Sequence, residues 1–416
     1  MAKPQDYFVG IDVGSSKVGV LIGHLAGAAD GQGALEVVGR GSAPNRGTRK
    51  GNIVNVEATV EALKAASEEA EVMAGVEISR AYVGVAGVDV RCVNSRGMVS
   101  VARKDREITA ADVKRVLEAA QSAPLPSDRE ILHAIPQEFV VDEQGGIGDP
   151  VGMLGSRLEV NVHLVTGNVT RSKTLLTCVN RAGIEVIRMV FEPLATAEAV
   201  LTPDERELGV LLLDVGSGTS DYAYFADGEV FHSAVLPIGA GHFTNDLAMV
   251  LRTPFAEAER IKTKSGCCLA GLVADDEGIS VPSVAGGAER VVPKRELCEI
   301  LQPRAEELFG LVREDLKKHG FDEPPRGGVV LTGGGAQLDG LLEMAEQIFD
   351  AGVRYGVPQG LGGLVDVISS PAWAAASGLL LYGRNVEQVE GRGRRRAGFS
   401  MRSMVGSLKG MFQDLL

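Results

Sequence analysis

The side chains best suited to chemistry cluster at three glycine-rich turns. Asp12, Gly14, Ser15, Ser16 and Lys17 end the run FVGIDVGSSK. Asp214, Gly216, Ser217, Gly218 and Thr219 end LLLDVGSGT, and Gly333, Gly334 and Gly335 interrupt VVLTGGGAQLDGL. A phosphate needs several donors at close range, and a turn of small residues lets backbone N–H groups approach its oxygens unobstructed. Ser15, Ser16 and Lys17 add hydroxyl and ammonium donors, and Gly216 to Thr219 can build a second cradle facing the first. Asp12 and Asp214 would repel a phosphate, so they suit a hydrated divalent cation held between them; Mg²⁺ keeps most of its waters and takes few protein carboxylates. The triple glycine permits backbone to pack closely on a nucleoside. One Asp-x-Gly-Ser turn marks only a hairpin. Two spaced copies plus the triple glycine point to a nucleotide. No Gly-Lys dipeptide exists for a P-loop, and Asp221 stands where a dinucleotide fingerprint needs its third glycine.

These turns need elements to position them. The apolar runs before them read as buried strands. VGVLIGHL (18–25) and SDYAYFADGEVFH (220–232) follow the first two turns, making each a β-hairpin; LDGLLEMAEQIFD has helical spacing, making the third a strand–turn–helix. Residues 56–75 read as a helix. From about Val83 to Val165 the texture changes, with strand-like SRGMVSVAR, helix-like TAADVKRVLEAAQSA and turn-rich DEQGGIGDPVG. Helix then strand resume at 169–186, FEPLATAEAVL follows, 254–264 is helical, and 266–295 is loop-rich with short strands. AWAAASGLLLYG (372–383) is a small-residue helix, 384–398 a polar Arg/Gly-rich linker, and 399–416 a further helix.

The 416 residues, 45% hydrophobic and 23% charged, suit two to four domain-sized units with a core that needs no staple. No apolar run reaches the ~18 residues of a spanning helix, and MAKPQDYFVG lacks the features of a secretory leader. Five cysteines without CxxC spacing argue against a disulfide framework or zinc site and fit a reducing compartment. The six histidines show no ligand spacing and read as structural, as Trp373 reads as packing. Residues 391–416 hold six basic side chains against Asp414, a net +5, which leaves −18 on the rest of a −13 chain. So acidic a body is a poor wrapper of nucleic acid, whereas the tail suits an anionic surface.

Within that tail, Met401, Met404, Val405, Leu408, Met411, Phe412 and Leu415 recur at helical spacing, with Arg402 and Lys409 beside the stripe and Arg395 and Arg396 before it. Such a helix can lie in the headgroup layer, its apolar stripe buried and its basic residues on anionic lipid. Docking on the body or in a partner's groove are the alternatives.

FVGIDVGSSK, LLLDVGSGTSDYA and VVLTGGGAQLDGL resemble the phosphate-1, phosphate-2 and adenosine motifs of the actin-like ATPase superfamily. FEPLATAEA and PAWAAASGLLLYG resemble its two connecting helices. VLEAAQSAPLPSDREILHAIPQEFVVDEQGGIGDPVGM, TPFAEAERIKTKSGCCL, ISVPSVAGG and EILQPRAEELFGLV narrow the resemblance to the bacterial cell-division family FtsA, over nearly the whole chain. The resemblance implies an α/β fold of two actin-like lobes with ATP and Mg²⁺ in the cleft. It divides the chain into a first lobe (1–82, 166–202 and 372–390), an inserted family-specific subdomain (83–165), a second lobe (203–371), the linker and the amphipathic helix. It implies Glu192 for orienting water, or else only a helix-terminal carboxylate, and Glu259 and Lys262 for the nucleoside, or else a solvated helix face. Arg304 would bind the C-terminal peptide of the tubulin-like ring protein FtsZ, or else form a surface ion pair. It further implies self-association into filaments, slow or negligible ATP hydrolysis, and contacts with anionic lipid and other division-ring proteins. The place would be the cytoplasmic face of the membrane at the division site, held peripherally. A sugar or acid kinase on the same fold is the alternative reading.

Overall fold

The structure is a computed structural model that describes residues 7–27, 33–103, 105–274, 277–284 and 289–396. Two of its sheets repeat one topology. In the first, the strands Tyr7–Val13, Lys17–Ala26 and Ala34–Pro44 form an antiparallel meander, and Arg80–Val85 then Glu185–Phe191 add in parallel beyond Tyr7–Val13. In the second, Val210–Val215, Ser220–Ala226 and Glu229–Leu236 form the meander, and Val329–Thr332 then Val353–Tyr355 add in parallel. Parallel neighbours require a crossover, and helices cover both sheet faces as a result. The central strands are therefore apolar on both sides rather than alternating: Ile11, Leu211, Leu212 and Leu213 are all fully buried.

The helix Val56–Ala74 makes the first crossover. The Asn55 side chain caps its start by accepting from the Ala58 N–H, and Gly75 ends it with a left-handed φ of 68°. Thr59, Leu63, Ala66 and Ala70 recur at helical spacing on its buried face, and Leu63, Ala66 and Ala70 share one core with Ile11, Val20 and Ile22 of the first sheet.

Between the two sheets lie the helices Glu192–Val200 and Ala374–Arg396. One core contains Leu21 and Tyr82 from the first sheet, Leu212 and Phe225 from the second, and Ala195, Leu379 and Leu380 from these helices. The small-residue run lets the helices cross in backbone contact: a Cβ on Gly378 would lie 1.9 Å from the Ala195 carbonyl oxygen. The lobes are thus joined through a packed core as well as by the chain.

The segment of different texture folds between two strands of the first sheet. It forms a four-stranded antiparallel sheet ordered Arg91–Ser100, Arg157–Asn168, Arg129–Val141, Gln144–Ile147, on which the helix Ala110–Gln121 packs around its own core. It reaches the second lobe through side chains. Gln137 donates to the Val230 carbonyl at 2.8 Å, Asn94 to that of Phe231 at 3.1 Å, and His163 bridges Asn94 and Ser233 at 2.6 and 2.7 Å. Burial pushes His163 down to about 3, which keeps this bridge neutral. His133 is likewise pushed to about 3 and accepts the Phe191 N–H at 2.9 Å.

One expectation is corrected. The helix that begins at Ala374 continues to Arg396, so 384–396 is helix rather than linker. Arg, Gln and Glu are good helix formers and no proline interrupts; the two glycines, Gly391 and Gly393, cost only about 1 kcal/mol each. Val386 is buried and Asn385 donates to Glu198 at 2.8 Å, which ties this extension to the body. Arg395 and Arg396 fall in its last turn. The helix read for 399–416, with Met401, Arg402, Met404, Val405, Leu408, Lys409, Met411, Phe412 and Leu415, lies outside the described residues. No helix among the described residues is long and apolar enough to cross a membrane.

Candidate functional site

The two hairpin turns face each other across a cleft of about 470 Å³, a size suited to a small-molecule ligand. Asp12, Gly14, Ser15, Ser16 and Lys17 of the first turn line it, as do Asp214 and Gly216 to Thr219 of the second, Gly333 to Gly335 of the third, and Glu192, Glu259 and Lys262. Every cleft residue expected from the sequence is thus brought together, whereas Arg304 does not line the cleft. Two glycines have no alternative. A Cβ on Gly218 would lie 2.6 Å from Ser15 Oγ and 2.9 Å from Lys50 Cα, because the turns nearly touch. Gly333 has a φ of 83°, and a Cβ there would lie 2.2 Å from Asp214 Oδ1.

Strand pairing places the acids. Asp214 lies opposite Asp221 in the second hairpin, and Asp12 opposite Gly19 in the first. Asp12, Asp214, Asp221 and Glu192 share one region with Lys17. Burial first, then the charges of Asp221 and Asp12, push Asp214 up to about 8. Burial pushes Asp221 to about 7 although it accepts from the Thr219 hydroxyl at 3.1 Å. Glu192 is raised well above the carboxylate range by burial and by Asp12, Asp221 and Asp214. Burial also lowers Lys17. The other oxygen of Asp221 is buried without a hydrogen-bond partner. So many carboxylates around one ammonium, with an orphaned oxygen among them, suit a hard divalent cation. Asp12 and Asp214 could hold it, with the turns around a phosphate chain.

The pH dependence has a definite sign. Asp214 ionises at 3.8 when free of the fold but near 8 within it. Between those values the folded chain keeps a proton that the unfolded chain has lost, so stability falls as pH rises and the loss is complete above about 8. A divalent cation prefers the ionised form and releases that proton. Without Mg²⁺, the melting temperature is expected to fall from about pH 6 to about pH 9, and Mg²⁺-ATP to raise it more at the higher pH. An equal rise at both would mean that the carboxylates and the ligand are not linked.

Glu192 is the first residue of its helix, followed by Pro193, and its side chain lies against Gly84, where a Cβ would be 2.8 Å from Oε1. Lys262 is buried and its ammonium donates to the Ala240 carbonyl at 3.0 Å and to Thr244 Oγ1 and Glu259 Oε2 at 2.8 Å. Thr244 also donates to Glu259. Lys262 is therefore no solvated-face residue: one of its three donors holds Glu259, whose half-exposed carboxylate lines the cleft. Arg304 forms a bidentate pair with Asp246 at 2.7 and 3.0 Å and a further pair with Glu307. A partner's carboxylate would have to exchange with Asp246.

Outside the cleft, His232, Asp315 and His319 bring ligand atoms within 4.8 Å of one another. The imidazoles stack at 4.0 Å with only 23° between their planes, so their in-plane lone pairs do not converge on one ion. Asp315 is instead satisfied by Tyr222 and by His232 at 2.6 Å. Asp221 is a buried acid of the cleft that the motif reading did not assign to it. Its signal was present as a charge in an apolar strand, two positions after Thr219 and so on the same face.

Comparison with known proteins bears on the family and the fold. A family model described as "Cell division protein FtsA" matches residues 211–378, and one described as "SHS2 domain inserted in FTSA" matches residues 87–166. The cell division protein FtsA of Pseudomonas aeruginosa is 46% identical over 375 residues, covering 90% of this chain and 88% of that protein. Among solved structures, a PilM-PilN type IV pilus biogenesis complex matches with a TM-score of 0.66 at 15% identity, over 91% of this chain and 98% of that one. MreB5 of Spiroplasma citri bound to ADP matches with a TM-score of 0.56 at 15% identity, over 94% and 99%. These structural neighbours establish the actin-like fold.

Proposed function

Since the chain belongs to the FtsA family of bacterial cell-division proteins, an actin-like fold with an inserted subdomain, we propose that it binds ATP with Mg²⁺ between its lobes, assembles into filaments and tethers the FtsZ ring to the membrane at the division site. The observation that carries the reading is the convergence of the two hairpin turns and the triple-glycine turn on one cleft. MreB5, of the same fold, is described with ADP bound. In this reading Ser15, Ser16, Lys17 and Gly216 to Thr219 hold phosphates, Asp12 and Asp214 hold the hydrated cation, and Gly333 to Gly335 and Glu259 border the nucleoside. Glu192 orients water for a hydrolysis that is slow at most.

ATP contacts both lobes at once and so fixes their relative angle. A fixed angle permits a head-to-tail contact between copies, which is open-ended and yields filaments. Each tail, the segment 399–416, binds anionic lipid weakly; many on one filament bind firmly because every further attachment is intramolecular. Arg304 takes the acidic C-terminal peptide of FtsZ by exchanging Asp246 for the incoming carboxylate. The family relationship favours this reading over a small-molecule kinase on the same fold.

Cosedimentation with anionic vesicles tests it. The full chain is expected to pellet with vesicles, more completely with Mg²⁺-ATP, and a chain ending at Arg396 to remain largely in the supernatant. Equal pelleting of the two chains would remove the tether.

A further inference from the structure

The chain contains one tryptophan, Trp373, and it is buried beside the cleft. Two cations lie over its ring: Lys17 Nζ at 4.1 Å from the centroid and the Arg40 guanidinium at 4.6 Å. The Lys17 ammonium also donates to the Ala372 carbonyl at 2.9 Å. The ring sits against Gly19, where a Cβ would come within 3.2 Å of it. Gly19 is the first hairpin's counterpart of Asp221, since each pairs with the aspartate of its own turn. Where the second hairpin carries a carboxylate, the first thus carries an indole face.

We propose that Trp373 is a positioning residue for Lys17, holding its ammonium at the phosphate end of the cleft. This rests on the reading of the cleft as a nucleotide site. A lysine is a compact charge on a flexible four-carbon stem, and left free it samples many rotamers. Here the aromatic face fixes the charge from one side and the Ala372 carbonyl takes one of the three ammonium protons. The remaining donors are available to a phosphate oxygen. The turn bearing the ring is itself tied to the other lobe: the Pro371 carbonyl accepts from the Gly333 N–H at 3.1 Å and from the Thr332 hydroxyl at 3.3 Å. The same turn opens the helix Ala374–Arg396 that leads towards the C-terminal tail. The indole therefore connects the Lys17 side chain to both lobes and to that helix.

Calorimetry with ATP and with adenosine, both in Mg²⁺, separates positioning from mere packing. Trp373→Leu is expected to weaken ATP about tenfold while leaving adenosine within about twofold, and Trp373→Phe, which keeps an aromatic face, to stay within about threefold of the parent for both. Equal losses for ATP and adenosine, or no loss for ATP, would overturn the proposal, as would a Phe variant as weak as the Leu variant. Should the Leu substitution unfold the chain, the parent protein decides by itself. Emission from its sole indole is expected to change with ATP and with inorganic tripolyphosphate but not with adenosine. Measured ATP binding that leaves the emission unchanged, or an equal response to adenosine, would refute the positioning role while leaving the nucleotide site intact. Absence of ATP binding to the parent protein would remove both.

Discussion

Replacing Asp214 by Asn is expected to weaken binding of ATP in the presence of Mg²⁺ by about a hundredfold, close to 2.7 kcal/mol, while raising the melting temperature of the nucleotide-free protein. The two effects have one origin. Asp214 lies beside Asp221 and near Asp12, where burial and like charge push its ionisation to about 8. An amide of the same shape is neutral at every pH, and so removes the cost of keeping this carboxyl protonated, or of burying its charge above about 8. It also removes a negative ligand from the place where a cation would sit, so the site becomes more stable and less able to bind, a common exchange at functional sites. Asp221→Asn is expected to stabilise in the same direction, since Asp221 is pushed to about 7. Titration calorimetry with and without Mg²⁺, together with a melting curve, reads both effects. Unchanged ATP affinity in excess Mg²⁺ would show that Asp214 does not serve the cation.

The second large effect belongs to the tail. Met404 and Phe412 stand eight residues apart in the sequence, on the stripe that helical spacing predicts. On the proposed membrane reading each would bury an apolar side chain in the headgroup layer worth about 1.5–3 kcal/mol, and a glutamate in its place would add repulsion from anionic lipid. Met404→Glu with Phe412→Glu is therefore expected to lower vesicle affinity by at least about a hundredfold, with nucleotide affinity unaffected. Arg402 and Lys409 contribute about 1 kcal/mol each near such a surface, so neutralising them is expected to produce a smaller loss that high salt mimics. Flotation with vesicles of graded anionic content measures both. Retained binding by the double variant would transfer the membrane contact to another surface.

Repetition made the site legible. FVGIDVGSSK and LLLDVGSGT announce two copies of one hairpin because a phosphate-sized turn needs Gly and Ser at set positions, and these residues carry the same meaning wherever they stand. Strand and helix types were legible for a similar reason: apolar periodicity and caps such as Asn55 and Gly75 act over a few residues. The misread stretch, 384–396, depended on contacts far along the chain. Its Arg and Gly composition reads as linker, yet Asn385 meets Glu198 and Val386 enters the core between the lobes.

Local spacing and summed charge made the two hairpins, the triple-glycine turn, the acidic body and the basic charge of the tail legible along the chain. What distant groups do to one another became visible only in the fold. The fold set Asp221 opposite Asp214, turned Lys262 inward to Thr244 and Glu259, engaged Arg304 with Asp246, and placed Lys17 and Arg40 over Trp373. Ionisation and ion pairing depend on distance and burial, which fall off within a few ångströms, and no spacing along the chain encodes a distance between residues 356 positions apart such as Lys17 and Trp373.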